Sequence, residues 1–254
     1  LNLYAYCGSN PIGYGDWDGY KKQPVPFKMG KYDYSDINSI GHLIGYLDKN
    51  ITNEEILEII SEKKYVINIE LMSTANLMIE AVHCDRFEVA KQLVNMGSDI
   101  NWKCKASMIN GNVLNVVSTP EEAEFFLKNG AEIEQNFKLN ISYVNPAIAA
   151  TQKNDLRMLE YWINKEKILF SNDMNYYNEL CMAVVDLVSD INQTETLSYV
   201  ISNDNLFEML IENYKNITDK KSIELRRNSL NMIKNQDVKP RVEELKNILK
   251  SFNN

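Results

Sequence analysis

An all-α fold is what this sequence predicts: a solenoid of stacked helix pairs with helical caps, preceded by a short extended segment. Three observations carry that reading. The segments Gly97-Ser98-Asp99-Ile100-Asn101 and Gly130-Ala131-Glu132-Ile133-Glu134 each close an apolar, helix-forming run and share one register. Self-similarity at a period of about 33 residues, the step from Gly97 to Gly130, is the signature of a repeat architecture. Helix-period apolar patterning runs from about Asp36 to the end, while seven of the ten glycines lie within residues 1–45 and none follows Gly130.

The elements follow in order. Residues 1–30 hold three of the six prolines and read as turns and extended chain. Asp36 can cap a helical run through Leu47. Thr52-Asn53-Glu54-Glu55 opens another run over Ile56 to Lys63, with acids in its first turn. Residues 31–72 thus form an N-terminal helical cap. Residues 73–203 carry the repeats.

The first repeat has Asn76-Leu77-Met78-Ile79-Glu80-Ala81 as its inner helix and Glu88 to Val94 as its outer helix. Gly97 ends it, because the closing residue is left-handed and glycine adopts that conformation at least cost. In the second, Val113 to Val117 is the inner helix. Ser118 or Thr119 caps the outer one, with Pro120 in its first turn. The third runs from Asn145-Pro146-Ala147 through Asn154-Asp155-Leu156 to Tyr161-Trp162-Ile163, and ends in Lys165-Glu166-Lys167 where a glycine would stand. A fourth, looser unit pairs Leu180 to Val184 with Thr196 to Ile201. Leu206 to Tyr214, Ser222 to Lys234 and Val242 to Phe252 make a C-terminal helical cap over residues 204–254.

Over residues 73–203 this pattern resembles the ankyrin family. Its repeats pair two antiparallel helices, carry a Pro-x-x-x-Ala inner helix and close in Gly-Ala-Asp-x-Asn. The Thr-Pro-Leu-His tetrapeptide typical of the family is nowhere intact. The resemblance implies a non-enzymatic scaffold that binds a protein partner through hairpin tips and the concave face of its inner helices.

The opening twenty residues carry a different pattern: Asn2-Leu3-Tyr4, Tyr6, Asn10-Pro11, Asp16, Asp18 and Gly19. In that register it resembles the end of the Rhs repeat-associated core, the shell of bacterial polymorphic toxins. In that family the shell is cut just after this motif and an aspartate pair is implicated, so Asp16, Asp18 and Gly19 would be a remnant of that machinery. Trp17 replaces a proline and Tyr20 a leucine of the family pattern. Taken in this chain alone, Asp16 and Asp18 read as an ordinary Asp/Gly turn. An ankyrin-like module after such a tail suggests an immunity protein that neutralises a cognate toxin. The alternatives are a C-terminal effector that binds a target-cell protein, and a toxin enzyme within residues 165–254.

Bulk properties narrow the partners. The 254 residues are 44% hydrophobic, enough for a substantial core, and the net charge is −8. An acidic chain is a poor ligand for nucleic acid and suits a basic protein, such as a basic toxin domain. The same charge also serves simple solubility. No apolar run is long enough to span a membrane. The chain begins at Leu1, not Met, and reads as a processed product or fragment. Cys7, Cys84, Cys104 and Cys181 have no paired spacing, and a reducing compartment suits them. A monomer in the cytoplasm is expected, or export as part of a larger Rhs protein.

No catalytic constellation, cofactor motif or metal-ligand set is legible. The two histidines, His42 and His83, lie apart. Phosphate-loop, zinc-protease and nucleophile-elbow motifs are absent. Glu54-Glu55, Glu121-Glu122 and Glu243-Glu244 sit near helix starts, where acids complement the macrodipole. Lys220-Lys221 with Arg226-Arg227 reads as a solvated helix face, and Trp162 as core.

Candidate partner contacts therefore come from the repeat geometry. One tip offers Trp102, Lys103, Lys105 and Met108, and the next offers Gln135, Asn136, Phe137 and Lys138. An aromatic beside lysine is hot-spot chemistry, although Trp102 and Phe137 would equally tuck beneath the hairpins. Inner-helix ends add His83, Cys84, Gln152 and Lys153. The residues just before the closing glycines add Met96 and Asn129.

Overall fold

Local signals set most of the helix starts. Thr52 accepts from the Glu55 N–H at 3.2 Å while Glu55 returns a bond to the Thr52 N–H at 2.8 Å. Thr119 and Glu122 form the same reciprocal box, with Pro120 opening the helix. Asn76, Asn145, Asp155, Asn203 and Asp219 each cap a helix with a side-chain oxygen. The structure, a computed structural model, describes residues 52–62, 67–68, 70–71, 75–104, 111–137, 144–190 and 194–252. The expected cap at Asp36, the histidine His42 and the motif residues Asp16, Asp18 and Gly19 lie outside them.

The described residues are all-helical, with no strand among them and a single antiparallel bridge between Cys104 and Gly111. They fall into two compact units, divided between Glu134 and Gln135. The first holds α1 (Asn53–Glu62), α2 (Leu77–His83), α3 (Phe87–Asn95), a 3-10 turn (Val113–Asn115) and α4 (Pro120–Lys128). α2 packs along α3, α1 lies against α3, and the 3-10 turn sits against α2 and α4. Ile56, Ile60, Leu77, Met78, Ile79, Leu93 and Phe126 are fully buried. Phe87 meets Phe125 edge-on at 5.5 Å, and Phe125 meets Phe126 at 5.2 Å, so one aromatic cluster ties α3 to α4.

The second unit holds α5 (Pro146–Gln152), α6 (Leu156–Leu169), α7 (Met174–Asp190), α8 (Thr194–Ser202), α9 (Asp204–Lys215), α10 (Lys220–Met232) and α11 (Lys239–Ser251). α7 is central: α5, α6, α8, α9 and α10 all pack on it, while α11 lies on α9 and α10. Its run Leu180, Cys181, Val184, Val185 and Val188 is buried at the three-four spacing of a core-facing stripe.

Three expectations need correction. Val113 to Val117 does not form a full inner helix: only a 3-10 turn spans Val113–Asn115. The interval from the cap asparagine to the next helix is three residues shorter there than at Asn76 to Phe87, too short for two turns of α-helix and a connection. The segment Leu180 to Val184 is the middle of the 17-residue α7, not a short helix of its own. Of the basic run of α10, Lys220 and Lys221 are exposed as expected, but Arg226 and Arg227 are not a solvated face. Arg226 is 8% exposed, its guanidinium 5.4 Å from the Tyr214 ring, and Arg227 donates to the Leu249 carbonyl at 2.6 Å.

Candidate partner-binding surfaces

The first unit repeats one hydrogen-bonding device. The Asn68 amide donates to the Gly97 carbonyl at 3.0 Å, and its oxygen accepts from the Asp99 N–H at 2.6 Å. One period further on, Asn101 donates to the Gly130 carbonyl at 3.0 Å and accepts from the Glu132 N–H at 2.9 Å. A second asparagine completes each clasp. Asn76 donates to the Asp99 carbonyl at 3.0 Å, and Asn112 to the Glu132 carbonyl at 2.7 Å. Both of these also cap the turn that follows them.

The helix ends ahead of the clasps match as well. Gly97 donates to Val94 and Ser98 to Leu93; Gly130 donates to Leu127 and Ala131 to Phe126. The glycines have φ of +94° and +95°, in the left-handed region. The turn between α2 and α3 has its own counterpart between α5 and α6. Asp85 and Asn154 take φ of 58° and 55° there, a conformation that Asp and Asn accept better than most residues.

These clasps hold the chain from which the first tip emerges. Trp102 is half-buried, with its N–H on the Asp99 carbonyl at 3.3 Å. Lys103 is exposed and ion-paired to Glu134 at 2.8 Å. The Cys104 N–H bonds the Gly111 carbonyl at 2.8 Å, closing the hairpin. Lys105 and Met108 lie outside the described residues. Met96 is half-buried, and Asn129 is exposed with its amide on the Phe125 carbonyl at 2.8 Å.

At the end of α2, His83 is half-buried. Cys84 is only 8% exposed, so it is not a surface contact as expected. Burial and the adjacent Glu80 carboxylate push its thiol up to about 12, which removes thiolate character.

In the second unit, Gln135 is exposed and Asn136 half-buried, its carbonyl accepting from the Asn145 N–H at 2.8 Å. Phe137 is half-buried, with its ring 5.3 Å from that of Tyr176. Lys138 lies outside the described residues. Gln152 and Lys153 are exposed at the end of α5.

A buried polar cluster in this unit escaped the sequence reading. Glu166 on α6 is fully buried. It accepts from the Tyr176 hydroxyl at 2.7 Å and from the Asn145 amide at 2.9 and 3.1 Å. Burial raises its carboxyl to about 7, against the lowering effect of those donors. The signal that could have found it was present: Glu166 stands where a closing glycine was expected.

Surface grooves also mark the second unit. One of about 760 Å³ runs between α7, α9 and the start of α10; another is lined by Glu160, Tyr199, Met232 and Lys234. No group of three His, Cys, Asp or Glu residues suited to a metal ion, and no helix long and apolar enough to cross a membrane, occurs among the described residues. No protein-family model, curated protein or solved structure matches this chain.

Proposed function

We infer that this chain is a non-enzymatic, protein-binding module of ankyrin type, and that it serves as an immunity protein of an Rhs-type polymorphic toxin locus. The observation that carries the binding reading is the recurrence, one period apart, of the Asn68 and Asn101 clasps with their left-handed glycines. Such clasps hold exposed segments rigid, and a pre-ordered surface loses little entropy on binding. The motif over residues 1–20 supplies the Rhs assignment, and the net charge of −8 suits a basic toxin as partner. Neutralisation would then be direct, by covering the toxin in the cytoplasm, with one copy of this chain sufficing.

The test is growth of bacteria expressing this chain alone, and then beside each toxin cassette of the same locus. Harmless expression that rescues growth against one toxin is the expected result. A second reading, a C-terminal effector exported with an Rhs shell, draws on the Rhs-type motif lying in the same reading frame. Growth arrest by this chain alone would favour that reading, or the toxin enzyme, and end the immunity one.

A further inference from the structure

The groove between α7, α9 and the start of α10 combines apolar and acidic lining residues. Its apolar lining includes two methionines: Met182 is 56% exposed and Met209 half-exposed, while Ile217 is buried. Methionine is flexible and polarisable, and exposed methionines recur on surfaces that accept helices of varied sequence. Its rim is acidic: Asp186, Glu208, Glu212 and Asp219 are all exposed.

Among the lining residues the four acids outnumber the one cation, Arg226. Arg226 is buried against the Tyr214 ring, and its charge acts on Asp219. Lys215 pairs with Glu212 at 2.7 Å, but both side chains are more than half exposed, and such a pair is worth little and exchanges readily. Asp186 accepts from the Asn213 amide at 2.6 Å and Asp219 from the Ser222 N–H at 2.8 Å. The hydrogen bonds from Ser222 hold the Asp219 carboxyl below the ordinary aspartate range. The groove's volume, about 760 Å³, is of the order of one to two turns of a helix 10–12 Å across.

We propose that this groove is a docking surface for a basic amphipathic helix of a partner protein, whose apolar stripe lies on Met182 and Met209 and whose Lys or Arg residues meet Glu208, Glu212 and Asp186. Helix-in-groove recognition has this form, with apolar anchors for affinity and charge for orientation. The inference deepens the protein-binding reading and rests on it, but it places the contact on the C-terminal helices rather than on the clasped hairpins of the first unit.

The experiment is a titration of the full chain, labelled at its methionine methyl groups, followed by NMR. The probe is a Leu/Lys amphipathic peptide of about 18 residues, with a Leu/Glu peptide of the same pattern as control. Saturable shifts at Met182 and Met209, with Met232 in the other groove unmoved and the Leu/Glu peptide silent, are expected. The E208K/E212K variant should bind about tenfold more weakly, and the milder E208Q/E212Q variant should fall between. Both glutamates are exposed on α9, so far-UV circular dichroism should match that of the unaltered chain.

Equal shifts at Met182 and Met232, equal response to the two peptides, or unchanged affinity in E208K/E212K would overturn the proposal. So would shifts on simple concentration of the protein, which would make a second copy the occupant. The growth assay fails or succeeds independently. Peptide docking without rescue keeps the groove and changes the partner; rescue without docking removes the groove and keeps the immunity reading.

Discussion

The Asn145 amide donates to the Glu166 carboxylate, at 2.9 and 3.1 Å, where the equivalent cap asparagines Asn76 and Asn112 donate to the main-chain carbonyls of Asp99 and Glu132. Glu166 stands as far along the chain from Gly97 as Asn145 stands from Asn76, so it occupies the place of the closing glycine. Because no left-handed glycine breaks α6, the helix continues to Leu169 and main chain no longer passes the cap. A carboxylate on the helix itself supplies the acceptor instead. Tyr176 donates a second hydrogen bond to it at 2.7 Å, its own ring against those of Phe170 and Phe137.

This substitution predicts a pH dependence. The folded Glu166 carboxyl titrates near 7, above its ordinary 4.5, because burial penalises the anion. The folded state therefore holds the proton more tightly than the unfolded chain. The associated stability is fully present below about 4.5, declines as pH rises, and is gone above about 7. Its size is at most about 3 kcal/mol. In urea melts the stability difference between the unaltered chain and Glu166→Gln should therefore shift, at the unaltered chain's expense, between pH 5 and pH 8. Parallel profiles for the two proteins would show that Glu166 is not the group responsible.

The two clasps predict matched energetics. Asn68→Ala and Asn101→Ala each remove two exposed hydrogen bonds of the same geometry. Each should destabilise the chain by about 1–2 kcal/mol, with the two values agreeing closely. Asn76→Ala should cost more, about 2–4 kcal/mol, since it strips a fully buried cap and strands the Ile79 N–H. Chemical denaturation of the three variants would reveal any large asymmetry between Asn68 and Asn101, which would undo the equivalence.

At Gly97 and Gly130 the requirement is conformational, since a Cβ would meet nothing within 4 Å. Gly97→Ala and Gly130→Ala should each lose about 1–2 kcal/mol through the left-handed backbone alone. Asparagine at either site should recover part of that loss. A thermal melt in which alanine is harmless would mean that the helix ends relax out of the positive φ.

Arg241 predicts a division of labour. It donates to the Ile201 and Ser202 carbonyls at 2.9 and 3.1 Å, lies 4.7 Å over the Phe207 ring, and pairs with Asp204. The Asp204 side chain is 89% exposed, so the ion pair is screened, while the bond to the Ile201 carbonyl at the end of α8 is part-buried. Arg241→Met should cost about 2 kcal/mol and Asp204→Asn under about 0.5 kcal/mol. Comparable losses from the two would assign the contribution to the ion pair.

Helix starts and stops were legible in the sequence because capping is local. Thr119-Pro120-Glu121-Glu122, Thr52 with Glu55, and the two closing glycines act over three or four residues, and the helices lie where those signals put them. The all-α class follows from the same short-range rules joined to helical periodicity. Gains and losses at a distance were not legible. Three residues added before Asn112 and three removed after it reduce an inner helix to a single 3-10 turn while preserving the spacing of Gly97 and Gly130. Composition alone does not show where that exchange falls.

Burial of charge was the other decision left to tertiary structure. Glu166 looks like any residue of an exposed Lys-Glu-Lys run, and Arg226 and Arg227 like a solvated face, until α6, α10 and α11 are packed. A charged side chain enters a core only when several partners converge on it from distant parts of the chain. Asn145 and Tyr176 do so for Glu166, and they lie 21 residues before it and ten after it. The sequence by itself determined the helical segments, their caps and the acidic balance, since these depend on neighbours along the chain. Only the tertiary structure decided which acids face solvent along the Met182 groove and which one is locked inside, because that depends on neighbours across space.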